Sequence, residues 1–161
     1  MTVAKPKQPH EIEPFIGEAE MAIDTAGRTN LPTAFRKNLG AGAGVKVYVT
    51  IDRGRTLALY SVGAWKQYLA DLREKRRNPG VTKAEFAKFY TRVTALAKLS
   101  ELDGQNRITL TDEQKTHAGI ADKVTFVGGD DKVRLWAPDK YAREIKSLTP
   151  EEEALHEELF G

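Results

Sequence analysis

The chain has 161 residues, 40% of them hydrophobic and 30% charged, with a net charge of +2 at pH 7. That length is enough to bury a real core, in one domain or two small ones. It holds no cysteine, which excludes disulfide staples and thiolate chemistry, and no apolar run long enough to span a bilayer.

In chain order, residues 1–14 are polar and carry Pro6, Pro9 and Pro14. They read as a disordered arm, because they cannot bury enough apolar area to order themselves. They also lack the apolar stretch of a signal peptide, so a cytoplasmic protein is expected. The folded region is expected from Phe15. A first half-domain, 15–61, contains a loop at Asp24–Arg28. After it comes a short helix in which Pro32 suits the first helical position, Phe35 and Leu39 share a face, and Gly40 supplies a left-handed cap. Val45, Val47, Val49 and Ile51 alternate as in a half-buried strand. Asp52-Arg53-Gly54-Arg55 forms the turn, and Thr56-Leu57-Ala58-Leu59-Tyr60 returns. A helical connector, 62–99, runs from about Val62 to Arg77, breaks at Asn78-Pro79-Gly80 and resumes from about Thr82 to Leu99. Phe86, Phe89, Tyr90, Val93, Leu96 and Ala97 give it an apolar stripe, read as core or subunit interface. A second half-domain, 100–137, follows, and then a C-terminal helical segment, 138–161, with an acidic tail from Glu151 to Glu158.

The second half-domain repeats the first. Ile23-Asp24-Thr25-Ala26-Gly27-Arg28-Thr29-Asn30-Leu31 matches Leu102-Asp103-Gly104-Gln105-Asn106-Arg107-Ile108-Thr109-Leu110. Thr111 and Gln114 have capping-box spacing and Gly119 closes the second short helix. Val124 and Phe126 alternate, Gly128-Gly129-Asp130-Asp131 turns, and Lys132-Val133-Arg134-Leu135-Trp136 returns. An order of strand, loop, strand, short helix, hairpin and helix, given twice, marks an internal duplication. Each copy is too small to fold alone, and one intertwined sheet core would cover the strand edges of both. The expected class is α+β, rich in β.

The repeated turn carries the candidate chemistry. Arginine presents a planar fork of donors that suits phosphate oxygens and the guanine edge, so Arg28 and Arg107 could contact DNA. Asp24 and Asp103 are suited to shaping the loop, by accepting backbone N–H groups and steadying the arginine. Gly27 permits a close backbone approach. Thr25, Thr29, Gln105 and Asn106 could add hydrogen bonds, and Arg36 and Lys37 could add phosphate contacts. The same turn, with its internal Asp–Arg pair, would also serve as a pure folding device.

These residues resemble a known family. Phe15-x-Gly17, Asp24-x-x-Gly27-Arg28, Leu31-Pro32 and Phe35-Arg36 are similar to the first half of the MraZ family. Ala118-Gly119-Ile120, Lys123-Val124-x-Phe126-Val127-Gly128 and Leu135-Trp136 are similar to its second half. The resemblance spans about Phe15 to Leu148. It implies a swapped-hairpin, AbrB-like barrel made from two half-domains of one chain, flanked by helices. It also implies a ring of subunits, typically octamer-sized. Such a ring would bind double-stranded DNA at direct repeats upstream of the division and cell-wall gene cluster, through the loop Asp and Arg of each repeat, and would be nucleoid-associated. Two positions depart from the family pattern: Asn106 stands where it has glycine, and Thr111 where it has proline. Asn tolerates positive φ, and Thr111 can cap.

An enzyme is not expected. His10, His117 and His156 lack metal-ligand spacing. Gly40-Ala41-Gly42-Ala43-Gly44 is not followed by Lys-Ser/Thr, as a phosphate loop would be. Ser61, Ser100 and Ser147 lack an elbow motif. No cofactor, metal or small-molecule substrate is implied. The alternatives are a protein-interaction scaffold without DNA binding, or an antitoxin-like AbrB protein.

Overall fold

The computed structural model describes residues 13–40 and 42–161. The expected N-terminal arm therefore lies, but for its last two residues, outside the described residues, as does His10. The strands are β1 (Glu18–Ala22), β2 (Arg28–Asn30), β3 (Lys46–Asp52), β4 (Thr56–Ser61), β5 (Lys98–Glu101), β6 (Arg107–Thr109), β7 (Lys123–Gly128) and β8 (Val133–Trp136). The helices are α1 (Thr33–Leu39), α2 (Val62–Glu74), α3 (Lys83–Ala95), α4 (Asp112–Ala118), α5 (Pro138–Tyr141) and α6 (Pro150–Phe160). The protein is thus mixed α and β, built around a sizeable antiparallel sheet.

The strand order exposes the duplication. A six-stranded sheet runs β1-β7-β8-β4-β3-β5, and β2 pairs with β6 in a separate two-stranded ribbon. Exchanging the copies (β1 for β5, β2 for β6, β3 for β7, β4 for β8) reverses this order and leaves it otherwise unchanged. The halves are intertwined: β1 pairs with β7 of the other copy, β4 with β8, and β3 with β5. The expected closed barrel is not found, because the six-stranded sheet stays open at β1 and β5.

The core follows from the pattern. Val47, Val49 and Ile51 of β3, Val124 and Phe126 of β7, and Val133 and Leu135 of β8 are buried with Phe35, Leu31 and Leu110. Strand β4 is covered on both faces, its central position leaving Leu57, Ala58, Leu59 and Tyr60 all buried. Gly40 and Gly119 end α1 and α4 at φ 63° and 64°, and Thr111 with Gln114 forms a complete capping box. Gln114 is fully buried and ties three segments together. Its amide nitrogen donates to the carbonyls of Val49 at 2.9 Å and Leu96 at 2.8 Å, and its carbonyl accepts from the Thr111 amide at 3.1 Å.

The helical connector is shorter than expected. It breaks at residues 78–80 as anticipated, after a 3-10 turn at Lys75–Arg77, but α3 stops at Ala95. Lys98 and Leu99 open β5, because the free edge of β3 offers a ladder that pairs Tyr48 with Leu99 and Val47 with Ser100. Of the apolar stripe, Phe86 and Val93 are buried, Tyr90, Leu96 and Ala97 are partly buried, and Phe89 is exposed.

Candidate nucleic-acid interface

The two Asp-x-x-x-Arg turns lie at the ends of one small ribbon. Strand β2 pairs antiparallel with β6, setting Arg28 opposite Thr109, Thr29 opposite Ile108 and Asn30 opposite Arg107. Side chains alternate across a strand. Thr29 and Ile108 therefore face the core, at 2% and 1% exposure, while Arg28, Asn30, Arg107 and Thr109 share the outer face. Two backbone bonds close the ribbon symmetrically: Leu110 donates to the carbonyl of Gly27 and Leu31 to that of Asn106, each at 2.8 Å.

Each aspartate builds its turn. One carboxylate oxygen of Asp24 accepts the amides of Ala26 and Arg28, both at 2.9 Å, and the other accepts Arg28 Nε at 2.9 Å. In the second turn Asp103 accepts the amides of Gln105 at 2.8 Å and Arg107 at 3.3 Å. Its other oxygen takes Arg107 Nε at 2.9 Å and Nη2 at 2.8 Å. The backbone N–H of Arg28, with help from its guanidinium, holds the Asp24 carboxyl below the usual carboxylate range. At Asp103 the Arg107 guanidinium is the chief cause of the same lowering.

The arginines are not equivalent. Arg28 meets its aspartate through Nε alone and keeps 46% of its side chain exposed. Arg107 gives both Nε and Nη2 to Asp103 and is 29% exposed.

The other candidate residues divide. Thr25 and Gln105 are exposed at the turn tips. Thr29, expected to offer hydrogen bonds outward, is turned inward by strand alternation. Gly27, at φ 81°, is buried, and its close approach is to the protein itself: a Cβ there would sit 2.5 Å from the carbonyl oxygen of Leu110. Asn106 holds φ 53° in the matching place. Its side-chain oxygen is buried without a hydrogen-bond partner among the described residues. Arg36 is half-buried and donates Nε to the carbonyl of Leu31 at 2.8 Å, so it braces the end of the ribbon, whereas Lys37 is exposed. The reading of the sequence omitted Asn30 and Thr109. The two-residue alternation of Arg28-Thr29-Asn30 and Arg107-Ile108-Thr109 was the signal that places them beside the arginines.

Among the described residues no group of three or more His, Asp or Glu side chains is arranged to hold a metal ion, and no helix is long and apolar enough to cross a membrane.

Comparison with known proteins bears on most of the chain. A family described as "MraZ protein, putative antitoxin-like" matches residues 15–86. A Thermomicrobium roseum protein named transcriptional regulator MraZ is 30% identical over 145 residues, covering 90% of this chain and 96% of the relative. The chain belongs to the MraZ family. A Moorella thermoacetica relative of the same name is 29% identical over the same shares of both chains. One from Nitrosomonas eutropha is 28% identical over 142 residues, covering 84% of this chain and 88% of the relative. The family model covers the first copy, and the alignments with the Thermomicrobium and Moorella relatives are long enough to run through both copies of the turn and both hairpins.

Proposed function

We propose that this MraZ-family chain is a transcription regulator that reads double-stranded DNA with the outer face of the β2–β6 ribbon. The observation that carries the reading is the convergence of Arg28, Asn30, Arg107 and Thr109 on one side of a two-stranded ribbon. A ribbon of that width fits the DNA major groove, where arginine pairs with guanine and asparagine with adenine. The relatives' printed name, transcriptional regulator MraZ, points the same way.

Arg28 is the principal contact, since its terminal nitrogens are uncommitted to Asp24. Arg107 is the secondary one, and it must loosen its two hydrogen bonds to Asp103 to reach a base. Asp24 and Asp103 shape the turns. Thr25, Gln105 and Lys37 supply peripheral contacts to phosphate or bases. The interleaved strand order is read as the swapped-hairpin, AbrB-like arrangement of two half-domains, 15–61 and 100–137. Subunits form a ring that presents the ribbon many times and engages direct DNA repeats upstream of the division and cell-wall genes. Several weak contacts made together raise affinity through effective concentration.

The test is a fluorescence-anisotropy titration of the full chain against its own upstream DNA at two salt concentrations. Arg28→Ala is expected to weaken binding by about 1–3 kcal/mol per engaged subunit and to relax the preference for this DNA over unrelated sequence, with the oligomer intact by light scattering. Arg107→Ala is expected to cost less. Wild-type affinity in the Arg28 variant at physiological salt overturns the proposal.

A further inference from the structure

The helix α6 lies entirely in solvent. Every residue of it is exposed, including Leu155, Leu159 and Phe160, the last at 88%. Its start is firmly specified, with a complete capping box from Thr149 and Glu152 and a proline in the first turn. An isolated helix of eleven residues is nonetheless marginal in water. Leu155 and Leu159, four residues apart, share a face, and five glutamates and no lysine or arginine surround it. Among the described residues nothing covers that face.

A complementary surface exists elsewhere. Between the 3-10 turn after α2 and the first half of α3 lies a groove of about 500 Å³ lined by Arg76, Lys83, Phe86, Ala87, Tyr90 and Thr91. Its walls are mostly apolar and its rim is basic. Residues 73–92 hold seven lysines and arginines against two glutamates. Among the described residues one ion pair offsets them there, a long one at 3.8 Å between Arg77 and Glu74. Arg73 donates to the Tyr90 hydroxyl at 3.2 Å and holds one wall in place.

We infer that α6 of one copy docks in the α2–α3 groove of a second copy of this chain, with Leu155 and Leu159 against Phe86 and Tyr90 and the glutamates against the basic rim. DNA is the other polyanion that could meet this rim. An aromatic-walled groove suits an amphipathic helix better, because phosphate contacts need no buried apolar partner. Such a contact is heterologous, tail to groove, and one that repeats closes rings or extends filaments. The inference is independent of the DNA-reading proposal.

Hydrogen exchange on the full-length protein tests it with two variants that alter only exposed residues. The tail variant carries Leu155→Glu and Leu159→Glu, and the groove variant carries Arg76→Glu and Lys83→Glu. In the wild type α6 is expected to be protected. In either variant alone its amides should exchange at least about tenfold faster, since local opening then governs them. When the two variants are co-expressed, protection should return to the unaltered α6 of the groove variant, which meets an intact groove on the other copy. An unprotected wild-type α6 overturns the inference, as does a groove variant whose tail stays protected. Failure of co-expression to restore protection means that the tail folds back on its own chain. If the groove variant loses DNA affinity while the tail variant leaves exchange unchanged, the rim is a phosphate surface. Either of those results also overturns it.

Discussion

Replacing Gly27 by alanine tests whether the ribbon is held by backbone contact. Two separate costs fall on this substitution. The first is conformational: φ is 81°, and an L residue held in left-handed territory costs about 1–2 kcal/mol. The second is steric: the new Cβ would stand 2.5 Å from Leu110 O, a distance at which β2 and β6 must separate. Separation strains the 2.8 Å bond from the Leu110 amide to the Gly27 carbonyl, worth about 1 kcal/mol when made and more when a buried group is left unpaired. The sum is about 2–4 kcal/mol, which corresponds to a fall in melting temperature of about 5–15 °C for a chain of this size. Gly40→Ala is the matched control. Its φ is 63°, and nothing lies within 4 Å of its Cβ position, so it carries the first cost without the second. Thermal unfolding by circular dichroism should therefore place Gly27→Ala several degrees below Gly40→Ala, and the DNA affinity of Gly27→Ala should fall with the displaced Arg28. Equal melting temperatures for the two variants would refute the argument that the close approach is rigid.

The ionic cluster beneath the hairpins gives a second prediction. Asp52 is 9% exposed and lies 2.9 Å from Lys132 Nζ and 3.2 Å from Arg134 Nε; these are ionic contacts rather than aligned hydrogen bonds, since neither Asp52 Oδ2 nor Arg134 Nε has a hydrogen-bond partner. Asp52→Asn leaves two half-buried cations without their anion. It should cost about 2–3 kcal/mol in chemical denaturation, short of the ~3–5 kcal/mol for breaking a fully buried pair, and an unchanged midpoint would contradict it. The third prediction concerns acid. Asp24 and Asp103 have lowered pKa values, so the turn stabilisation they supply is fully present above the unfolded carboxylate value near ~3.9 and is lost as pH falls through the lower folded values. Amide resonances of Ala26 and Gln105, followed by NMR, should keep their turn positions down to about pH 4 and shift only below it. A midpoint at or above that pH would refute the pairing.

Much of the fold was legible because it is written twice. The matched turns, the two capped short helices and the two alternating hairpins each rest on local chemistry: a left-handed glycine at Gly40 and Gly119, a capping box at Thr111, alternation through Val47, Val49 and Ile51. Which strand neighbours which was not legible. The pairing of β1 with β7 and β3 with β5 joins residues about a hundred and about fifty positions apart and is decided by the burial of the whole sheet rather than by any local signal. A strand was expected before the second turn, but its start was misplaced for the same reason: Lys98 and Leu99 continue a helical pattern on paper, and the open edge of β3 recruits them into the ladder. At the site, the pairing of Asp with Arg within each turn was legible from spacing. The inward turn of Thr29 required knowing which face of the ribbon packs on the core, and the bracing role of Arg36 required the local backbone at Leu31 to be in place.

The two turns have also diverged in a way that bears on function. At Gly27 the backbone passes so close to Leu110 that no side chain fits. At Asn106 the same crossing is made at φ 53°, and an amide side chain lies in the space, half-buried. The second turn therefore carries extra bulk beside its arginine, and there Arg107 is held by two bonds to Asp103 and is less exposed than Arg28. A guanidinium already satisfied by a carboxylate gains less from a base than one with free donors, because binding must first break what it replaces. Under the proposed function, a duplicated site thus need not read DNA symmetrically. The order expected from these bonds is a larger loss for Arg28→Ala than for Arg107→Ala. Asp103→Asn should narrow that gap by freeing Arg107, provided that the turn, still held by Asn through its side-chain oxygen, keeps its shape.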